Sequence, residues 1–121
     1  MGKVKILIVE DELLLALALR RTLEKAGYEC ISPAVDYQSA VDLALEERPD
    51  LILMDIMLKS EKTGIDAART IQSRVPAGII FVTGNAALLK ENSTENIDYY
   101  DVLTKPVSPP GVLASVAAYL D

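Results

Sequence analysis

The sequence predicts an α/β fold: a five-stranded parallel sheet in the doubly wound order 2-1-3-4-5, with five helices covering its two faces. Three observations predict it. Short, continuous runs of Ile, Val and Leu recur along the chain, the pattern of strands buried on both faces. Segments of helical periodicity separate these runs, so strand and helix alternate five times. Finally, four of the runs end on charged or hydroxyl-bearing residues: Lys5-Ile6-Leu7-Ile8-Val9 runs into Glu10-Asp11-Glu12, Leu51-Ile52-Leu53-Met54 into Asp55, Ile79-Ile80-Phe81-Val82 into Thr83-Gly84, and Tyr100-Asp101-Val102-Leu103-Thr104 into Lys105-Pro106.

The elements follow in order. After the first strand, residues 12–26 show helical spacing, with Leu15, Ala18, Leu19, Thr22, Leu23 and Ala26 as the expected buried stripe. Gly27 signals the end of this helix. Residues 29–33 read as the second strand. Residues 38–47 read as a helix stopped at Arg48-Pro49. Residues 65–74 form the third helix, ended before Pro76, and a weaker helix is expected over 86–91. The last helix starts near Ser108, tolerates Pro109 and Pro110 in its first turn, and runs to about residue 120. Crossovers in such a sheet are right-handed. The first and third strands are then central neighbours at the point where chain direction reverses, and ligands bind outside the carboxyl ends of the strands there. Glu10, Asp11 and Asp55 fall at that point.

Size and composition bound the function. A chain of 121 residues, half of them apolar, suits one domain over residues 1–121 with no effector domain. Such a domain buries roughly two thirds of its unfolded surface. The lone Cys30 excludes a disulfide framework and reads as a buried, inert thiol. No apolar segment approaches the ~20 residues of a membrane span, and Met1-Gly2-Lys3 leaves no room for a signal peptide, so a cytoplasmic location is expected. Asn92-Ser93-Thr94, a glycosylation-type triplet, then reads as a polar loop. The net charge of −6 argues against direct nucleic-acid binding. With no histidine, any phosphohistidine chemistry requires a partner.

Three carboxylates brought together by Glu10, Asp11 and Asp55 repel one another unless a cation joins them. An all-oxygen, solvent-open set suits Mg²⁺, which takes one or two carboxylates plus water and phosphate oxygens. Lys105 adds a point charge able to offset an acceptor oxygen or a phosphoryl group, and Thr83 adds a hydroxyl. The Lys105-Pro106 bond is a candidate for the cis form.

This ordered set of strand ends resembles the receiver domain of two-component response regulators, the phosphoacceptor family related to the chemotaxis response regulator. The resemblance covers residues 5–119 and is most specific in Ile8-Val9-Glu10-Asp11-Glu12, Asp50-Leu51-Ile52-Leu53-Met54-Asp55-Ile56, Thr83-Gly84 and Lys105-Pro106. It implies a flavodoxin-like sheet. It also implies a phosphoacceptor, Asp55, that takes a phosphoryl group from a phosphohistidine of a sensor histidine kinase or histidine phosphotransferase. Asp11 and Asp55 would ligate Mg²⁺ directly, Glu10 through a water, and Met57 through its main-chain carbonyl. Thr83 and Lys105 would hold the phosphoryl oxygens. The protein would catalyse its own phosphorylation and dephosphorylation without being a turnover enzyme.

Two departures stand out. Val102 occupies a position where receivers carry a reporting Phe or Tyr, so Tyr100, expected on the same strand face, or Tyr99 is the candidate replacement. The stretch 59–64 is one residue longer than the commonest form and is expected to be solvated and mobile. Leu13, Leu14 and Leu17, outside the core stripe, form a candidate docking patch for the phosphodonor. The face of the fourth helix, fifth strand and fifth helix, with Tyr99, Val102 and Val107, is the candidate output or dimer surface. The alternatives are a receiver-like docking module that works without phosphate, a small flavodoxin-like cofactor protein, and a Mg²⁺ hydrolase. The flavodoxin-like reading needs a phosphate loop where Glu10-Asp11-Glu12 would repel one. The hydrolase reading usually needs an acid where Met57 stands.

Overall fold

The computed structural model describes residues 2–91 and 94–121. The first two positions of the Asn92-Ser93-Thr94 triplet lie outside these. Strand and helix alternate as β1 (Lys5–Val9), α1 (Leu13–Lys25), β2 (Glu29–Ala34), α2 (Tyr37–Glu47), β3 (Leu51–Met54), α3 (Gly64–Gln72), β4 (Gly78–Thr83), α4 (Leu88–Glu91), β5 (Asp101–Thr104) and α5 (Pro109–Leu120). The strands form one parallel sheet in the order β2-β1-β3-β4-β5. No helix among the described residues is long and apolar enough to cross a membrane.

Period-two alternation sorts the strand side chains between two cores. Leu7, Val9, Ile52, Met54, Ile79 and Phe81 pack with α2 and α3 residues such as Ala40, Val41, Ala68 and Ile71. Ile6, Ile8, Leu51, Leu53, Ile80 and Val82 pack on the other face with Ala16, Leu19 and Leu23 of α1 and Val112 and Val116 of α5. Cys30 is buried in this second core. Burial, reinforced by the charge of Glu24, pushes its thiol up to about 11.

The helix ends follow from local chemistry. The Asp36 carboxylate accepts the Ser39 amide at 2.8 Å and closes a capping box on α2. Thr63 and Asp66 do the same for α3. The Ser108 hydroxyl accepts the Gly111 amide ahead of α5, with Pro109 and Pro110 in the first turn. Gly27, at φ +97°, takes the left-handed conformation just past α1.

Two expectations are corrected here. The buried stripe of α1 is Ala16, Leu19 and Leu23, with Leu15 and Thr22 at its margins, while Ala18 and Ala26 face solvent. The run Leu13-Leu14-Leu15-Ala16-Leu17-Ala18-Leu19 is apolar all round, so periodicity alone does not fix which face turns inward. Among the described residues the fourth helix covers Leu88–Glu91, starting two residues later than expected and with none of these residues buried.

Candidate phosphoryl and cation site

Register places the acids. Val9 pairs with Met54, so the next residues, Glu10 and Asp55, leave the sheet side by side. The Asp55 amide donates to the Val9 carbonyl at 2.9 Å. Glu10 and Asp55 are buried, at 1% and 5% exposure, and Asp11 is half-buried. Carboxylate oxygens of Glu10, Asp11 and Asp55 lie within 4.8 Å of one another. The Lys105 ammonium bridges the group, 3.0 Å from Glu10 Oε1 and 3.1 Å from Asp55 Oδ2. Glu12, at 3.8 Å, is the third acid on the same ammonium.

The electrostatics follow from this crowding. Burial pushes the Glu10 carboxyl up to about 7, and the Asp55 charge adds to it. Lys105 and the Glu12 amide pull the other way without cancelling the rise. For Lys105 itself, burial works against the ammonium, yet the hydrogen bonds and charges of Glu10 and Asp55 outweigh it and hold the pKa above its ordinary value. The acids Glu10, Asp11, Glu12 and Asp55 outnumber the Lys105 ammonium.

Thr83 is brought to the same end of the sheet, and the Lys105 amide donates to its carbonyl at 2.8 Å. Its buried hydroxyl is engaged locally, accepting the Asn85 amide at 3.1 Å. The Lys105-Pro106 bond is cis.

The Met57 side chain points out and is 60% exposed. The segment after it is solvent-exposed at residues 59–62, as expected. It is also fastened at several points, unlike the mobile loop its charges suggest: Leu58 is buried in the core, and Ser60 is hydrogen-bonded to Tyr37. Gly64 belongs to α3 and is the site residue that sequence reasoning missed. It is buried, its amide donates to the Ile56 carbonyl at 2.7 Å, and a Cβ on it would overlap the carbonyl oxygen of Asp55. Helix α3 therefore starts directly on the peptide of Asp55. The signal available was Thr63 as an N-cap followed at once by a residue without a side chain.

Leu13, Leu14 and Leu17 are exposed at 70%, 85% and 54%. Val102 is partly buried against the α2–α3 core, beside its strand partner Phe81. Tyr100 does not share that face. It precedes β5, where strand alternation has not begun, and its ring stands edge-on to Tyr119 of α5 at 5.3 Å. The next residue, Asp101, also turns to α5, accepting the Ser115 hydroxyl at 2.6 Å. Tyr99 is the ring that reaches Phe81, edge-on at 5.4 Å. Val107 packs against the α1–α5 core, so it and Val102 sit on opposite sides of the sheet.

Comparison with known proteins agrees with this geometry. The receiver domain of the CheY-like response regulator from Methanospirillum hungatei JF-1 superposes with a TM-score of 0.89 at 27% identity, covering 99% of this chain and 95% of that one. The receiver domain of PhyR from Erythrobacter litoralis gives 0.87 at 28% identity, covering 99% and 92%. The signal receiver domain of a modulated diguanylate cyclase from Desulfovibrio desulfuricans G20 gives 0.84 at 31% identity, covering 94% and 90%. A family model for the response regulator receiver domain matches residues 6–117, and with the strand order and the acidic site this shows that the chain belongs to that family of signalling modules.

Proposed function

We propose that Asp55 is the phosphoacceptor of this receiver and that its phosphate switches partner binding. The observation that carries the reading is the Lys105 ammonium, held between Glu10 and Asp55 from the far side of the sheet. In the reaction, an Asp55 carboxylate oxygen attacks the phosphorus of a partner's phosphohistidine. The P–N bond breaks, its electron pair returns to the imidazole, which takes up a proton, and a C–O–P mixed anhydride forms. Asp55 thereby gives up the carboxylate charge it offers Lys105, whose ammonium, still beside Glu10, turns to the phosphoryl oxygens. Thr83 supplies a hydroxyl donor by turning its O–H away from the Asn85 carbonyl, 3.5 Å away. Phosphoryl transfer asks the protein chiefly for such positioning and charge neutralisation.

The acid set fits Mg²⁺: the donors are all oxygens and they converge. Asp11, Asp55 and the Met57 carbonyl would hold the ion, with Glu10 acting through a water. When bound, it would neutralise the carboxylates and the incoming phosphoryl charge.

The phosphodonor is a sensor histidine kinase or a histidine phosphotransferase in the cytoplasm. The exposed apolar residues Leu13, Leu14 and Leu17 at the start of α1 suit docking of a helical partner. The output or dimer surface is the α4–β5–α5 side.

Incubation with Mg²⁺ and beryllofluoride, followed by backbone NMR, tests the reading. Shifts concentrated at residues 10–12, 55–58, 83–85 and 105 are expected in the wild type and none in Asp55→Ala. An unresponsive wild type, or the same response in Asp55→Ala, would sink it.

A further inference from the structure

The segment between Asp55 and α3 is closed at its base and pinned at its tip by separate sets of contacts. At the base, the Gly64 amide bonds the Ile56 carbonyl and Leu58 is buried in the core. At the tip, the exposed residues 59–62 reach back to the start of α2. The Ser60 hydroxyl accepts the Tyr37 amide at 3.2 Å and donates to the Lys62 carbonyl at 2.8 Å. The Lys59 amide reaches the Val35 carbonyl at 3.4 Å. The Lys62 ammonium sits 4.7 Å from the centre of the Tyr37 ring, a cation–π contact. The Tyr37 hydroxyl is in turn 2.8 Å from the Thr70 hydroxyl, which ties the ring to α3.

We propose that Ser60, Lys62 and Tyr37 are positioning residues that hold the Met57 main chain in place for the cation. None of them is among the acids, the hydroxyl or the ammonium of the site. They act on the strand-to-helix segment from its outer side, so loosening them frees residues 59–62 and leaves Met57 held only by the base contacts at Ile56 and Leu58, while Asp55 stays anchored by β1 and by Gly64. A carbonyl that has to be ordered at the moment of binding adds that ordering cost to the association. The assignment rests on the reading of Met57 as a ligand given above.

Charge separates this role from simple electrostatics. Deleting the Lys62 cation near an acidic site would by charge alone tighten binding of a divalent cation. Loss of positioning weakens it.

The test compares Lys62→Ala, Lys62→Arg, Tyr37→Leu and Tyr37→Phe in two measurements. Amide hydrogen exchange in metal-free protein reads the pinning by itself, and Mg²⁺ titration followed by NMR reads its effect on the cation. Lys62→Ala and Tyr37→Leu should exchange faster at residues 59–62, with global stability matched by urea unfolding, and should bind Mg²⁺ about 2- to 5-fold more weakly. Lys62→Arg, which keeps the cation over the ring, should stay near wild type, and Tyr37→Phe, which keeps the ring but loses its tie to Thr70, should fall between wild type and Tyr37→Leu. Unchanged exchange in both disruptive variants overturns the pinning. Faster exchange with equal or tighter Mg²⁺ binding overturns its role toward the cation. A wild type that binds no Mg²⁺ overturns that role together with the ligand reading it rests on.

Discussion

The ring of Tyr99 stands edge-on to that of Phe81, centroids 5.4 Å apart, so that an exposed aromatic touches a fully buried one two residues before Thr83. Tyr100, its neighbour, packs instead on Tyr119 of the last helix. The two tyrosines should therefore differ in function. Tyr99→Ala should diminish the beryllofluoride-induced NMR shifts across β5 and cost about 0.5–1.5 kcal/mol beyond its lost burial. Tyr100→Ala should leave those shifts and phosphorylated-state partner affinity unchanged. The reverse pattern would show that the ring at 100 reports the phosphate.

Gly64→Ala is expected to be costly although the backbone there is ordinary helix. The added Cβ meets the Asp55 carbonyl, which the strand pairing holds in place. A destabilisation of roughly 1–3 kcal/mol should appear in urea unfolding, with a lower yield of beryllofluoride complex. Gly84→Ala is the control: nothing lies within 4 Å of its would-be Cβ, and the change should stay within about 0.5 kcal/mol.

Three crowded carboxylates make the metal-free site a source of strain that a cation should relieve. Free Mg²⁺ at ten times its Kd should stabilise the wild type by about 1.4 kcal/mol, seen as a Tm higher by a few degrees. Asp11→Asn should lose most of this gain. Asp55→Asn should lose it too and melt higher than wild type without Mg²⁺, because one member of the repelling set is gone. A Tm increment of equal size in all three proteins would place Mg²⁺ elsewhere.

The cap of α2 should set a pH dependence at the acid end. Hydrogen bonds from the Ser39 hydroxyl and amide hold the Asp36 carboxyl below its ordinary value of 3.8. A depressed carboxyl contributes stability above the unfolded pKa and loses it as pH falls through the folded one. Asp36→Ala should therefore cost about 1 kcal/mol at pH 7, and the gap should close as pH drops below 3.8. Urea unfolding at pH 7 and pH 3 measures it, and a gap independent of pH would remove the carboxylate from the cap.

Much of this was legible in advance because the strands carry their own signal. Lys5–Val9 and Leu51–Met54 are continuous apolar runs, and the structure matches both residue for residue. The acids after them needed only the strand order to become neighbours. What stayed hidden depended on fine geometry. In α1, only the fit of Ala16 against the sheet selects the buried face from a helix start that is apolar all round. Tyr100 was misplaced because the period-two rule was extended past the end of a four-residue strand. Gly64 was overlooked because a glycine after the Thr63 cap is a faint signal, and its importance lies in how closely α3 approaches Asp55.

The bridge from Lys105 spans 95 residues to Glu10 and 50 to Asp55. Any piece of the chain that contains it runs at least from Glu10 to Lys105. A chain still emerging from the ribosome, or one clipped before its fifth strand, presents acids without their counter-charge. The charge balance of the site is therefore set only once β5 has closed the sheet beside β4.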